Sequence, residues 1–358
     1  MAVTPAAGLP PVRADLALFD GYHSPQVDVA VRLNTNESPF PPPQAWLEAL
    51  HDGLAAIPFH RYPDRKATAL RAALAESHGV APEQVFAANG SNEALLVLCL
   101  AYAGAGRAVA VFDPTYALHS HIARVTGADV RVGRRDDEFR LDPAEVDRLL
   151  AGRPDVTFLC SPNNPTGRAE PRAAVDDVLG RVPGLLVVDE AYGQFAPWSA
   201  MELVGDDVPL VVVRTYSKTW SMAAARLGYL VGPAALVAEL EKVALPYHLD
   251  AVKQVAGRLA LRFRSEMEAR VATIVEERGR VAAALADLPV DAWPSDANFI
   301  LFRPRQREGR DVWQGLLERS VLVRDCSAWP ALDGCLRVTI GTPDENRSFL
   351  AALREVLA

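Results

Sequence analysis

The residues of this chain best suited to chemistry are gathered in one stretch, residues 210–232, LVVVRTYSKTWSMAAARLGYLVG. An apolar run at 210–213, of the kind a strand buried on both faces shows, turns polar at Arg214, Thr215, Ser217 and Lys218. Lys218 is the only lysine between Lys66 and Lys242. Thr215 and Ser217 share a face in extended chain, and Arg226 follows eight residues after the lysine. The carboxyl end of a buried strand is where open α/β sheets bind ligands. Desolvation there lowers an amine's pKa and makes it a nucleophile toward carbonyls. The hydroxyls and Arg226 are then available to hold an anion beside it. Taken alone, the same residues also describe a solvated lysine and a structural arginine in a turn.

Other short apolar runs end in polar residues in the same way. Strands are predicted at 85–88, 108–112, 129–132, 156–160, 185–188, 210–213 and 227–231, most of them separated by helical segments. After the first comes Asn89-Gly90-Ser91-Asn92-Glu93 and a helix start, whose free N–H groups suit an anion. A bare serine cap is the alternative there. After the others come DPTYALH with Tyr116, SPNNPTGR with Asn164, and DEAY with Asp189 and Tyr192. Repeated strand–helix alternation implies an α/β fold with a mostly parallel, doubly wound sheet. After Gly232 the texture changes: a helix at 233–244 and long charged helical residues from about 250 to 287 precede strands at 298–302, 321–324 and 336–340, a smaller α+β unit whose boundary lies near residues 245–248. The expected organisation is an arm (1–44), a large domain (45–246) and a small carboxyl-terminal domain (247–358). The arm holds a short alternating run, then Asn34, Asn36 and Glu37, then four prolines within five positions, which excludes a helix or a central strand.

With 358 residues, the chain can build a large core and more than one domain. A net charge of −8 argues against non-specific nucleic-acid binding and against an anionic membrane surface, but local arginines can still collect an anionic small substrate. The four cysteines, Cys99, Cys160, Cys326 and Cys335, lack metal-ligand spacing. They read as reduced thiols of a cytoplasmic protein without a metal site. The first sixteen residues lack the apolar core of a signal peptide, and no window reaches the length of a membrane span.

Collected in one crevice, the strand-end residues suit pyridoxal 5′-phosphate (PLP). That cofactor needs a lysine amine for covalent attachment, a carboxylate at its pyridine nitrogen, hydrogen bonds to its ring oxygen, an aromatic face and an anion cradle. Lys218, Asp189, Asn164 with Tyr192, Tyr116, and Gly90–Asn92 with Ser217 and Arg226 can fill these needs in turn.

SPNNPTG, DEAY and TYSK, with the arginine eight residues beyond the lysine, resemble the class I/II aminotransferases of PLP fold type I. The spacings of 25 residues from Asn164 to Asp189 and 29 from Asp189 to Lys218 suit that family. LNTNESPFPPP, RYPD, GSNEALL and the ending VLVRDCSAWPALDGCLRVTIGTPDEN are most similar to its histidinol-phosphate branch, over nearly the whole chain. The resemblance implies a seven-stranded-type sheet and a cytoplasmic homodimer of histidine biosynthesis. It also implies amino transfer from L-histidinol phosphate to 2-oxoglutarate. By position, Lys218 matches the cofactor-bearing lysine, Asp189 the pyridine partner, Asn164 and Tyr192 the ring-oxygen ligands, and Tyr116 the stacking residue. Ser91, Asn92, Thr215, Ser217 and Arg226 match the phosphate cradle, although family members often carry aspartate where this chain has Asn92. Tyr62 matches a residue reaching the phosphate from the other subunit. Arg337 matches the arginine that grips the substrate carboxylate, and Tyr22, Asn36 and Arg324, together with Asn164, match positions near the substrate. Trp329 has no role derivable from the sequence.

The rival readings are an aromatic amino-acid aminotransferase and a PLP-dependent threonine-phosphate decarboxylase, because a fold does not fix a substrate. A ligand-sensing domain of a transcription regulator would need an added helix-turn-helix, for which the proline-rich first 44 residues leave no room.

Overall fold

The computed structural model describes Pro10, Arg13 and residues 27–358; Tyr22 lies outside the described residues. In chain order the strands are β1 (Val31–Leu33), β2 (Val85–Ala88), β3 (Ala108–Asp113), β4 (Asp129–Arg134), β5 (Val156–Cys160), β6 (Leu185–Asp189), β7 (Leu210–Thr215), β8 (Gly228–Val231), β9 (Val290–Ala292), β10 (Phe299–Pro304), β11 (Val321–Asp325) and β12 (Leu336–Thr339). They form two sheets. The larger has seven strands in the order β2-β8-β7-β6-β5-β3-β4, and the smaller has five in the order β1-β11-β12-β10-β9. The predicted α/β fold with its mostly parallel seven-stranded sheet is therefore the observed one.

The large sheet is parallel from β4 through β7, and β8 runs antiparallel to β7. Its strands are apolar without alternation because both faces are covered. In β6 and β7, Val187, Val211 and Val213 pack into one core while Leu186, Val188, Leu210 and Val212 pack into another on the opposite face. Burying a side chain of this size stabilises by about 1.5–3 kcal/mol, so each strand is held from both sides. The chain steps outward from β3 to β4 and then back across to β5, β6 and β7. The reversal between β3 and β5 is a topological switch point, and the crevice beyond it is where such sheets bind ligands.

The smaller sheet contains the three strands read from the sequence and two more. Residues 31–33 join as a parallel edge strand on β11, with Val31 opposite Val321 and Leu33 opposite Val323. The prolines at 39 and 41–43 follow only after the polar residues 34–38, and they keep the chain out of a helix or central strand there. Beyond β8, the chain first returns to the flank of the large sheet. Leu249, Ala256, Leu259 and Ala260 pack with Leu70 and Leu74 of the helix Thr68–His78. The long helix Arg264–Ala286 then leads to the smaller sheet, where Ile274, Val281 and Leu285 join its core. Among the described residues, no helix is long and apolar enough to cross a membrane.

Candidate active site

Parallel register places the ends of β5, β6 and β7 side by side, with Cys160 opposite Asp189 and Asp189 opposite Val213. The turns leaving these strands open into a cavity of about 490 Å³ between the two sheets. Lys218, Asp189 and Tyr192 line it. So do Ser91, Asn92, Tyr116, Asn164, Thr215, Ser217 and Arg226 from the large-sheet side. Asn36, Arg324 and Arg337 complete it from the side of the arm and the smaller sheet. Tyr62 does not line it. It lies elsewhere on the surface, 80% exposed, stacked on Tyr247 with ring centroids 4.5 Å apart.

One end of the cavity is an anion cradle. The helix Ser91–Tyr102 starts there from Gly90 with no side-chain cap, so its first N–H groups point into the space. Gly90 is left-handed (φ 82°), and a Cβ on it would sit 3.0 Å from Arg226 Nη2. A Cβ on Gly228 would strike the Ser91 amide nitrogen. Both glycines are therefore needed for the backbone to close around an anion. Arg226 Nη1 donates to Ser217 Oγ (3.2 Å), and Thr215 Oγ1 donates to the same oxygen (3.0 Å). Among the described residues no carboxylate pairs with Arg226. A helix start, two hydroxyls and a guanidinium without an acidic partner fit a phosphate.

Asp189 is 1% exposed at the centre of the cavity floor. Its Oδ1 accepts from the Ala191 amide (3.0 Å), and its Oδ2 lies 2.9 Å from His119 Nε2. The tautomer with its proton on Nε2 donates to that oxygen. His119 is sandwiched between the Phe158 face, at 4.8 Å, and the Tyr116 edge, at 5.4 Å, and its Nδ1 has no partner. The sequence reading missed His119. A signal was present in DPTYALH: Tyr116 and His119, three apart at a helix start, share a face. Behind Asp189, on the opposite face of the sheet, Glu190 and Arg214 form a buried ion pair at 2.6 Å that ties β6 to β7.

Lys218 Nζ donates to the Thr35 carbonyl at 3.1 Å and lies 5.8 Å from the centre of the Tyr192 ring. Burial lowers its pKa to about 8, helped by the charges of Arg337 and Arg226 and opposed by Glu37. Burial pushes the Tyr192 phenol up, and its hydroxyl accepts from Asn36 Nδ2 at 2.9 Å. Arg337 Nη1 donates to Asn164 Oδ1, and Nη2 donates to the Asn34 carbonyl at 3.0 Å. The segment after β1 is thus a wall of the cavity, with Asn34 and Asn36 almost fully buried. Its backbone and side chains meet the lysine, the tyrosine and the arginine in turn.

Three comparisons bear on this arrangement. The sequence model of the family described as aminotransferase class I and II matches residues 28–353. The chain is 44% identical to the histidinol-phosphate aminotransferase of Frankia casuarinae, over 98% of this chain and 91% of that protein. It is also 44% identical to that of Mycobacterium marinum, over 97% of this chain and 93% of that one. In fold it superposes on a crystal structure of histidinol-phosphate aminotransferase from Sinorhizobium meliloti in complex with pyridoxal-5′-phosphate. That match has a TM-score of 0.88 at 22% identity and covers 98% of each chain.

Proposed function

The chain belongs to the class I and II aminotransferases, and on that premise we propose that it is a PLP-dependent enzyme that transfers the amino group of L-histidinol phosphate to 2-oxoglutarate, in histidine biosynthesis. One observation carries the substrate reading. Arg324 and Arg337 stand directly opposite each other on β11 and β12 and line the same cavity as Lys218. Two guanidiniums directly opposite each other concentrate positive charge on one face, which favours an anion in the cavity they line. Guanidinium pairs bidentately with carboxylate and phosphate alike. One site can then accept glutamate, with its carboxylates, and histidinol phosphate, with its phosphate. The near full-length likeness to histidinol-phosphate aminotransferases supports the same reading.

When bound, PLP supplies an aldehyde carbon that accepts amines and a pyridine ring that draws electrons from the reacting carbon. Ser91, Asn92, Thr215, Ser217 and Arg226 hold its phosphate in this reading, Tyr116 its ring face, and Asn164 with Tyr192 its ring oxygen. Asp189 keeps the proton on the pyridine nitrogen, and His119 keeps Asp189 in place. Lys218 Nζ, once displaced by the incoming amine, takes the proton from the amine-bearing carbon of the substrate. The buried Asn36–Tyr192 contact and the segment 34–37 exclude water from that side. In this division of labour, residues 45–246 hold the cofactor, while the arm and residues 247–358 supply the substrate side.

The direct test compares kcat/KM for histidinol phosphate, phenylalanine and tyrosine as donors, with 2-oxoglutarate as acceptor. Histidinol phosphate is expected to win. A clear win for an aromatic amino acid would replace this reading with the aromatic one, and release of carbon dioxide from threonine phosphate would favour the decarboxylase. Arg337→Ala is expected to raise KM for both histidinol phosphate and 2-oxoglutarate roughly 10- to 100-fold, since each charge-assisted contact contributes about 1.5–3 kcal/mol. A change confined to one substrate would contradict its place in both half-reactions.

The reading includes a homodimer. Phe59 (71% exposed), Tyr62 (80%) and Leu245 (75%) leave large apolar side chains uncovered beside Tyr247. A second copy related by a two-fold axis is the commonest cover for such a patch. It would bring Tyr62 of each subunit to the other's phosphate cradle. Tyr62→Phe is then expected to weaken PLP retention about tenfold, the loss of one hydrogen bond to a charged group. Sedimentation should give a dimer; a fully active monomer would refute this part. The four buried free thiols support a cytoplasmic location.

A further inference from the structure

Tyr192 is held at both ends by one pair of strands. Its ring meets that of Phe299 edge-on, with centroids 5.0 Å apart and planes at 85°. Phe299 on β10 stands directly opposite Thr339 on β12. Thr339 in turn reaches the Tyr192 hydroxyl through Asn36. Asn36 N donates to Thr339 Oγ1 (3.0 Å), Thr339 Oγ1 donates to Asn36 Oδ1 (3.1 Å), and Asn36 Nδ2 donates to Tyr192 Oη (2.9 Å). All three residues are at most 5% exposed.

The polarity of this relay follows from its first link. A backbone N–H can only donate, so Thr339 Oγ1 accepts there, and its own proton is left for Asn36 Oδ1. That fixes the carboxamide, with its oxygen toward Thr339 and its nitrogen toward Tyr192. The phenol oxygen therefore accepts, and its proton is left to be given elsewhere. Among the described residues no group accepts that proton, and Tyr192 lines the cavity.

Asn36 is itself fixed. Its backbone is left-handed (φ 54°), a conformation asparagine adopts more readily than most side chains. Asn298 Nδ2 donates to its carbonyl at 3.2 Å. Each of the four polar atoms of Asn36 thus has a partner within the protein. That fits a residue which holds another side chain better than one which binds substrate.

We infer that Asn36, set by Thr339, is a positioning residue that aims the Tyr192 phenol proton into the cavity, at the ring oxygen of the cofactor. This rests on the reading of Tyr192 as a ring-oxygen ligand given above. A donated proton stabilises negative charge on that oxygen. The oxygen then pulls less strongly on the proton of the nitrogen that joins the cofactor to Lys218, and that nitrogen releases it at lower pH. The charged or titratable groups facing Tyr192 are Cys160 of β5, Asp189 of β6, Lys218 after β7 and Arg337 of β12. The test leaves all four in place.

It follows the absorption spectrum of the PLP-loaded, full-length protein as pH is raised, and reads the midpoint of the change. Tyr192→Phe removes the donor and should raise the midpoint by about 1–2 pH units, the value of one hydrogen bond to a charged group. Thr339→Val removes the hydroxyl without adding charge and lets the carboxamide turn over. It should raise the midpoint by about 0.5–1 unit, part of the same hydrogen bond. Thr339→Ser keeps the hydroxyl and should restore the parent value. In a Tyr192→Phe background, Thr339→Val should add no further shift, because it acts through the phenol. A raised midpoint in Tyr192→Phe with an unchanged one in Thr339→Val would overturn the inference and leave the reading of Tyr192 standing. So would a Thr339→Val shift that persists in the Tyr192→Phe background. Should Thr339→Val fail to fold, Asn36→Asp decides in its place. It keeps the shape of the side chain but turns the donor into an acceptor, which draws the phenol proton away from the cofactor. Its shift should be larger in the parent than in the Tyr192→Phe background, and equal shifts would overturn the inference. If Tyr192→Phe itself leaves the midpoint unchanged, the ring-oxygen reading falls and the inference falls with it.

Discussion

Lys218→Ala is expected to reduce turnover by roughly 10⁴-fold or more, at or beyond the upper end of what one proton-transfer group contributes, because it removes the attachment point as well. The variant should still bind PLP through the cradle at Ser91, Ser217 and Arg226, but release it on dialysis. Borohydride should fix the cofactor to the peptide containing Lys218 in the parent protein and to no peptide in the variant. Label on any other lysine would remove Lys218 from its role. Its pKa adds a pH dependence with a definite sign. With the amine lowered to about 8 by burial, its neutral and nucleophilic fraction rises with pH through that value. The rate at which cofactor-free protein takes up PLP should therefore climb from pH 6 to 9 and then level off.

The same shift has a cost in stability. The folded state gives up the proton near pH 8, while the unfolded chain keeps it to about 10.5. Burial of this lysine therefore destabilises the cofactor-free protein fully below pH 8, and the effect fades as pH rises toward 10.5. The size is on the order of 3 kcal/mol. Cofactor-free Lys218→Met should melt higher than the parent at pH 7, with the gap closing by pH 10. A gap that does not change with pH would show that the lysine is not held in a desolvating environment.

Asp189→Asn is expected to retain PLP and lose about 10²–10⁴-fold in kcat, the range for groups that manage a proton at the reacting centre. An amide has nearly the shape of the carboxyl group, so the contacts with Ala191 and His119 can be kept in part. It cannot hold a positive pyridine nitrogen, and the substrate carbon then loses its electron sink. The check is kcat at measured cofactor content. Near-normal turnover in a PLP-replete variant would count against the whole mechanism. His119→Asn should show a milder loss of about tenfold, because it disturbs Asp189 without removing it.

The large sheet was legible because its signals are local. Apolar runs of four to six residues ending in polar turns describe strands covered on both faces, and β5, β6 and β7 form where those runs lie. Their polar ends gather at one crevice because parallel strands put every carboxyl end on the same edge. The positions of Lys218, Asp189 and Asn164 around one cavity follow from that rule, while Arg226 reaches it from the amino end of the antiparallel β8. What lies across from that edge was indicated only by the resemblance to a family and not by any local pattern. Asn34 and Asn36 follow a three-residue edge strand, too short to announce itself, and only pairing with β11 carries them into the cavity. The match of Arg324 with Arg337 is a register between strands, invisible in either strand by itself. His119 needed the packing of its helix against Phe158 and β6 to reach Asp189. The sequence by itself determined which residues stand at strand ends, since periodicity and turn chemistry act over a few neighbours. Which partners those residues meet was decided only by the tertiary structure, because such contacts join segments tens to hundreds of residues apart, and burial of the two cores sets their relative position.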